Sequence, residues 1–388
     1  AVNLSTSGAD ISGTANLDAV DIDGAVQIDA TLSVGVNDTG YDVKFFGATA
    51  SRHMTWDESA DSLIISGDLD VNDGTIKLDG NYPVGTGNVA LGDTALDDGS
   101  LSGAYNTAIG NLALTANTSG AANTAMGANV MASNTTGGSN SAFGRNALGT
   151  NTTGSNNTAV GYNSLVSGTT GGNNTAVGWS SLFNNTTADN NTAVGYQAGY
   201  SNTTGDRHVA IGYSALNANT TGYRNNAIGY LALTTNTTGF ENNALGVNAL
   251  RYNTTGAYNV AVGHEALINN TTASYNTAVG YQSLYTNVTG NALVAIGHKA
   301  LVLNTGSNNT AVGYNALVTN SSASGNTAVG DRAMQGNTTG ANNAGYAYQA
   351  LYTNTTGTSN VAFGFRSLYS NTTASNNTAA GYRAGYSN

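Results

Sequence analysis

The sequence predicts an all-β protein whose main part is a fibrous parallel β-solenoid, or β-roll, of 17-residue repeats. A motif of the form Asn-Thr-Ala-Val-Gly has 18 copies between residues 88 and 388. Its glycines are 17 residues apart, except for one step of 18 and one of 16. A fixed period of this length is typical of stacked repeats, and no long helical pattern competes with it.

The glycine of each motif, called the anchor below, gives the repeat its numbering. The anchors are Gly92, Gly110, Gly127, Gly144, Gly161, Gly178, Gly195, Gly212, Gly229, Gly246, Gly263, Gly280, Gly297, Gly313, Gly330, Gly364 and Gly381, with Ala347 in the remaining slot. Two residues before the anchor, Ala stands in 17 of the 18 copies. The residue between them is apolar and mostly branched.

Each element of one repeat follows from its residue types. The alternation in Ala159-Val160-Gly161 predicts a short strand, with the branched residue in the core and a small-residue face opposite. A Leu four residues after the anchor predicts a second short strand and a second core column. Asn-Thr-Thr-Gly, as at 151–154, predicts a turn. The Asn four residues before the anchor predicts a side-chain ladder along the stack.

The small-residue face predicts an oligomer. A thin roll of two strands has little interior, and its Ala/Gly face hardly varies between copies. We therefore expect this face to pack against the same face of other copies of the chain. A parallel homotrimer about a long axis is the simplest compact arrangement.

Three copies depart from the pattern. Gly199 and Gly385 take the place of Leu, and we expect the following Tyr200 and Tyr386 to lean over the missing side chain, because a core cavity is costly. In the third copy we expect Gly345 to make room for Tyr346 beside it. The ladder residues of these copies, Asn191, Asn377 and Asn343, predict that all three stay in register.

The first 87 residues differ in design from the rest. Residues 1–100 hold 17 Asp and Glu against 3 Lys and Arg, whereas residues 101–388 hold 5 against 8. Residues 1–34 predict a β shaft segment, because four apolar residues share one strand parity: Val20, Ile22, Val26 and Ile28. Residues 35–87 predict a small β module and a junction at Pro83, the only proline, and residues 88–388 form the solenoid.

Composition excludes several classes of protein. The chain has no cysteine, no apolar run of membrane-spanning length and no stripe of Lys and Arg for nucleic acid. We expect no cofactor, no metal, no nucleic-acid partner and no membrane insertion. Motifs of hydrolases and nucleotide-binding enzymes are missing.

One enzymatic alternative is a glycan depolymerase. Asp189 and Asp206 share one column in adjacent coils, which gives roughly the spacing of a carboxylate pair. Both stand on loops among small polar residues. Arg207, Arg224 and Glu241 in the next column predict an exposed charge ladder, so the sequence favours a protein that is not an enzyme.

An aromatic stripe is the candidate binding surface. The residue after the anchor is aromatic in five consecutive coils: Tyr162, Trp179, Tyr196, Tyr213 and Tyr230. Such a stripe is typically a stabilising ladder, and it could also form a platform for sugar rings. Ice binding by Thr columns is a third alternative, disfavoured by their loop position and by their variable neighbours Ser119 and Gly168.

The repeat resembles two known families. The Asn-Thr-Ala-Val-Gly units are similar to head repeats of trimeric autotransporter adhesins, where such strands form a left-handed parallel β-roll in a trimer. The longer form of the repeat looks more like repeats in bacteriophage tail-fibre proteins. Residues 35–71, GVNDTGYDVKFFGATASRHMTWDESADSLIISGDLDV, are similar to a module of phage structural proteins.

These resemblances imply a non-enzymatic, homotrimeric phage tail fibre, a stiff spacer and host-surface adhesin located in the virion. Its implied partners are itself, other virion tail proteins and a host cell-surface glycan or protein. The alternative is a trimeric autotransporter-type adhesin on a bacterial cell surface.

Overall fold

The structure, a computed structural model, describes residues 43–46, 53–57, 62–66 and 86–387. The chain divides into two compact units, residues 1–77 and 78–388. The predicted shaft segment 1–34, with its four apolar residues, lies outside the described residues. So does most of the predicted module, including Pro83.

The described residues of the first unit form an antiparallel sheet. Its strands are β1 Val43–Phe46, β2 His53–Asp57 and β3 Ser62–Ser66, paired in the order β1-β2-β3. Val43 lies opposite Trp56, and His53 lies opposite Ser66. All three strands fall within residues 35–87, where the sequence predicts a small β module.

The second unit contains eighteen strands of three residues. They are β4 Val89–Leu91, β5 Thr107–Ile109, β6 Thr124–Met126, β7 Ser141–Phe143, β8 Thr158–Val160, β9 Thr175–Val177, β10 Thr192–Val194, β11 Val209–Ile211, β12 Asn226–Ile228, β13 Asn243–Leu245, β14 Val260–Val262, β15 Thr277–Val279, β16 Val294–Ile296, β17 Thr310–Val312, β18 Thr327–Val329, β19 Ala344–Tyr346, β20 Val361–Phe363 and β21 Thr378–Ala380.

These strands form one parallel ladder in sequence order, and the described residues contain no helix. Each strand pairs with the strand one repeat before and one repeat after it, for example Ala193 with Ala176 and with Ala210. The 17-residue step of the sequence is therefore the step from coil to coil, which confirms the all-β parallel solenoid. Eighteen coils at the usual strand spacing give a length of roughly 85 Å.

Each coil contains one strand, so the second predicted strand is wrong. The segment after the anchor is a turn in which two residues take left-handed backbone angles, Asn163 at φ 55° and Leu165 at φ 49°. Coil-to-coil hydrogen bonds continue through the turn, because the Leu165 N–H donates to the Ser181 carbonyl at 2.9 Å. The turn thus directs Leu into the core without a second strand.

The predicted parity of the strand is also wrong. Ala159 is fully buried inside the coil, whereas Val160 is 36% exposed. The interior has room only for the methyl group of Ala on the strand side, because Leu from the turn fills the rest, as Leu148 and Leu165 do. The Leu column is core, as predicted. The Ala face is the chain's own interior and is not a surface for another chain.

The predicted asparagine ladder is confirmed. The Asn174 backbone N–H donates to Asn157 Oδ1 at 3.0 Å, and the Asn174 side-chain amide donates to the Ala188 carbonyl at 2.9 Å. The residues of this ladder are buried from Asn106 to Asn360 and half-buried at its two ends, Asn88 and Asn377. Each buried amide therefore makes bonds within its coil and to the next, which satisfies groups that are costly to bury alone.

A second asparagine ladder was not predicted. The Asn of each Asn-Thr-Thr-Gly turn is also buried, and Asn151 Nδ2 donates to Asn134 Oδ1 at 2.7 Å and to the Gly154 carbonyl at 3.0 Å. The sequence indicates a turn here. Asn is typical both of surface turns and of turns whose first side chain points inward, so the residue type alone does not distinguish them.

The irregular copies stay in register, as predicted, but they repair the core differently. Tyr200 stacks on Phe183 with ring centroids 5.0 Å apart, and Tyr386 stacks on Tyr369 in the same way. Neither lies over the missing Leu. A Cβ on Gly199 would lie 2.9 Å from Leu182 Cδ2, so the Leu of the preceding coil fills the space.

Gly345 makes room for Met334 and not for Tyr346. A Cβ on Gly345 would lie 2.9 Å from Met334 Cγ and 3.3 Å from its sulfur, whereas Tyr346 points outward at 37% exposure. Met334 holds the Leu position of its coil and is longer than Leu. Other coils have Ala at the position of Gly345. Because Gly345 lacks that methyl group, it compensates for the longer core side chain of Met334 in the coil before it.

The coil of 16 residues interrupts both ladders. Leu293 stands in the first ladder and has no side-chain oxygen for the N–H of Asn309. Asn287 Oδ1 accepts from the Gly290 N–H of its own turn, and Asn304 Nδ2 donates to the Gly306 carbonyl. The coil anchored by Gly297 is thus held to each neighbour by one ladder bond fewer than a regular coil.

Candidate functional site: an aromatic stripe on the solenoid

The stripe follows directly from the backbone at the anchor. The anchor glycine has a φ that side chains avoid, 130° at Gly161 and 136° at Gly195, and this bend ends the strand. The next side chain then points to solvent. The five predicted residues are 39–50% exposed: Tyr162, Trp179, Tyr196, Tyr213 and Tyr230.

The five rings form one continuous stack. Ring centroids of Trp179 and Tyr196 are 4.9 Å apart, and those of Tyr196 and Tyr213 are 5.0 Å apart, with planes within 6° of parallel. The two outer pairs are looser, with Tyr162 6.2 Å from Trp179 and Tyr230 5.3 Å from Tyr213. The coil spacing, near 4.8 Å, imposes this distance.

Stacking uses the faces of the rings. A sugar ring binds an aromatic residue by lying on its face, but in this stack both faces of Trp179, Tyr196 and Tyr213 contact neighbouring rings. The exposed parts are ring edges and hydroxyl groups, together with one outer face at each end of the stack. The geometry therefore favours a stabilising ladder along most of the stripe.

The same column continues beyond the predicted stripe. His264, Tyr281, His298 and Tyr314 stack at 5.1–5.6 Å, and Tyr348, Phe365 and Tyr382 stack at 5.2–5.3 Å. Val247 and Asp331 separate the three stacks. Continuing the repeat step past Tyr230 along the sequence leads to the aromatic residues of both further stacks.

The carboxylate pair of the enzymatic alternative makes local contacts only. Asp189 Oδ1 accepts the Gly172 backbone N–H at 2.6 Å, and Asp206 pairs with Arg207 at 3.2 Å. The neighbouring Arg224 pairs with Glu241 at 2.9 Å, with both side chains well exposed. This is the exposed charge ladder that the sequence predicts, and such pairs contribute little to stability.

The described residues lack metal clusters and membrane-spanning helices. They contain no group of three or more His, Cys, Asp or Glu side chains that could hold a metal ion. Among them there is also no helix of the length and apolarity that crossing a membrane requires.

No protein-family model matches the chain, and no curated protein or solved structure is significantly similar to it. The fold defines the chain as a β-solenoid repeat protein.

Proposed function

We propose that this chain is a non-enzymatic structural fibre, part of a phage tail fibre that acts as a stiff spacer and host-surface adhesin. The observation that carries the proposal is the unbroken parallel ladder of eighteen coils from β4 to β21. A solenoid of this kind holds its two ends at a defined distance. Each coil contacts only its neighbours and adds a fixed rise to the length.

Support for an oligomer comes from the outward face of the strands. The residue before the anchor is apolar in every coil and well exposed in many, with Leu91 at 58%, Leu245 at 48% and Phe363 at 63%. Residues 101–388 carry a charge balance of only +3, so self-association meets little repulsion. We place the trimer interface on this face, in place of the buried Ala face.

The interface is tested by charge substitution in the middle of the face. Val262→Lys with Val279→Lys should dissociate the trimer to monomers, because lysine heads at the centre of a packed interface lose their hydration. The matched control is Thr238→Lys with Thr255→Lys, which changes an exposed turn column by the same charge. Sedimentation of a wild-type monomer, or an unchanged trimer with the two valine substitutions, would refute the interface.

The location is tested on virions. Antibodies raised against residues 88–387 should label the tail fibres of phage particles in electron micrographs. Deleting three whole coils from the middle should shorten the labelled fibre by about 14 Å at one strand spacing per coil. Labelling of bacterial cell surfaces in the absence of phage would instead support the alternative, a trimeric autotransporter-type adhesin.

A further inference from the structure

One coil in the middle of the solenoid lacks its second-ladder side chain. This ladder uses the residue seven positions after each anchor, and from 117 to 371 that residue is Asn in every coil but one. In the coil anchored by Gly161 it is Gly168. The neighbouring ladder residues are Asn151 in the coil before and Asn185 in the coil after, and both are fully buried.

The backbone does not close over the missing side chain. The step from Gly161 to Gly178 is the regular one, Ala159 and Ala176 remain in register, and the Thr152 N–H still donates to the Thr169 carbonyl at 2.9 Å. A Cβ built on Gly168 would lie 3.3 Å from the Leu165 carbonyl oxygen and 3.5 Å from that of Asn185. The same Cβ would lie 3.4 Å from Leu165 Cγ, so a side chain fits at this position if Leu165 shifts by a few tenths of an ångström.

Two hydrogen-bond acceptors near Gly168 each have one donor fewer than their counterparts in the previous coil. Asn151 Oδ1 is buried and has no partner, whereas Asn134 Oδ1 one coil earlier accepts from Asn151 Nδ2. The Gly171 carbonyl accepts only from Asn157 Nδ2. The equivalent carbonyl of the previous coil, that of Gly154, accepts from two amides.

One hydrogen-bond donor also lacks its usual acceptor. Asn185 Nδ2 donates to the Ala188 carbonyl at 3.0 Å and makes no bond along the ladder. Asn202, one coil later, donates both to its own turn and to Asn185 Oδ1. The missing amide at 168 would have given two hydrogen bonds and accepted one.

We propose that two buried water molecules take the place of this amide. The first lies where the amide nitrogen would be and donates to Asn151 Oδ1 and to the Gly171 carbonyl. The second lies about 2.8 Å from the first on the side of Asn185, donates to the first and accepts from Asn185 Nδ2. Buried waters bind in this way to polar groups that lack protein partners, provided that the site is polar and roomy enough.

A crystal structure of the chain, at a resolution that shows ordered water, tests the proposal directly. We expect two solvent peaks, one within hydrogen-bond distance of Asn151 Oδ1 and one within that distance of Asn185 Nδ2. A dry site, with Leu165 moved into the space or the Asn151 amide turned to another partner, would overturn the proposal.

Substitutions give an independent readout. Gly168→Asn should remove both peaks, join the two halves of the ladder and raise the midpoint of thermal unfolding by about 2–4 °C. The backbone φ of Gly168 does not lie in the left-handed region, so a residue with a side chain can adopt it. Gly168→Ala, the matched control, adds a methyl group without an amide and should give no rise. A lower midpoint for Gly168→Asn would contradict the proposal.

Asn236→Gly provides a second test that does not depend on the folding of the Gly168 variants. Asn236 lies in an unbroken part of the same ladder, where its Nδ2 donates to Asn219 Oδ1 at 2.9 Å. This variant should lower the midpoint and gain two solvent peaks at the new position. A dry cavity there would count against the proposed replacement of an amide by water.

Discussion

Gly246→Ala should strongly destabilise the solenoid, by roughly 2–6 kcal/mol from backbone strain and overpacking together. Gly246 has φ 139°, and a Cβ there would lie 2.5 Å from the Gly263 carbonyl oxygen and 2.7 Å from its carbon. Neither atom can move away, because both belong to the backbone of the next coil. Urea unfolding followed by circular dichroism measures the loss.

Ala347→Gly is the matched control, with an effect of the opposite sign. Ala347 occupies an anchor slot at φ 109°, a strained angle for a residue with a side chain. Glycine there relieves the strain and restores the consensus, so we expect a gain of about 1 kcal/mol after the entropy of a glycine in the unfolded chain is subtracted. Equal stability of Gly246→Ala and wild type would show that the anchors do not require glycine.

Acid should destabilise the wild-type chain more than His208→Asn. His208 stands in the first asparagine ladder, is buried, and its Nδ1 accepts the Asn225 backbone N–H at 3.1 Å, as an asparagine Oδ1 would. This bond places the proton of the neutral ring on Nε2. Burial lowers the pKa of His208 from 6.5 to about 4, against smaller opposing effects of hydrogen bonds and Asp206.

The pH range of the effect follows from these two values. Between pH 6.5 and about 4 the unfolded chain binds a proton that the folded chain does not, so folding stability falls as the pH falls. The loss at pH 4 amounts to about 3 kcal/mol, and it is absent above pH 7. His208→Asn restores the ladder residue and removes the titration, while all carboxylates stay the same.

Unfolding midpoints of the two proteins across this range check the prediction. The difference between wild type and His208→Asn should grow from pH 7 to pH 4 and then level off. A difference that does not change with pH would mean that His208 is protonated in the fold or reaches solvent.

The sequence predicted the features that repeat and missed those that depend on interior volume. The repeat step predicted the register of every coil, and the Asn157 column, which is Asn in all coils but those of His208 and Leu293, predicted a ladder along the stack. The parity of the strand could not be predicted in the same way, because Ala159 and Val160 are both apolar. Only the size of the interior decides which of them lies inside.

The candidate site was predicted in position but not in geometry. Counting from the anchor placed Tyr162 and the four aromatic residues after it in one exposed column, as the structure has them. Whether the rings present faces or edges depends on the coil spacing, which brings Trp179 and Tyr196 to 4.9 Å. Likewise, a Gly at 199 predicted a cavity, but which neighbour fills it depends on the rotamer of Leu182.

The direction of the coil-to-coil hydrogen bonds has a mechanical consequence. They run along the length of the solenoid, so a pull on its two ends passes the same force through every coil interface in series. The tensile strength of the solenoid is then that of its weakest interface, and more coils lengthen it without strengthening it. The interfaces on either side of the Gly297 coil and of the Gly161 coil, each short of one amide bond between protein groups, are where that limit is set.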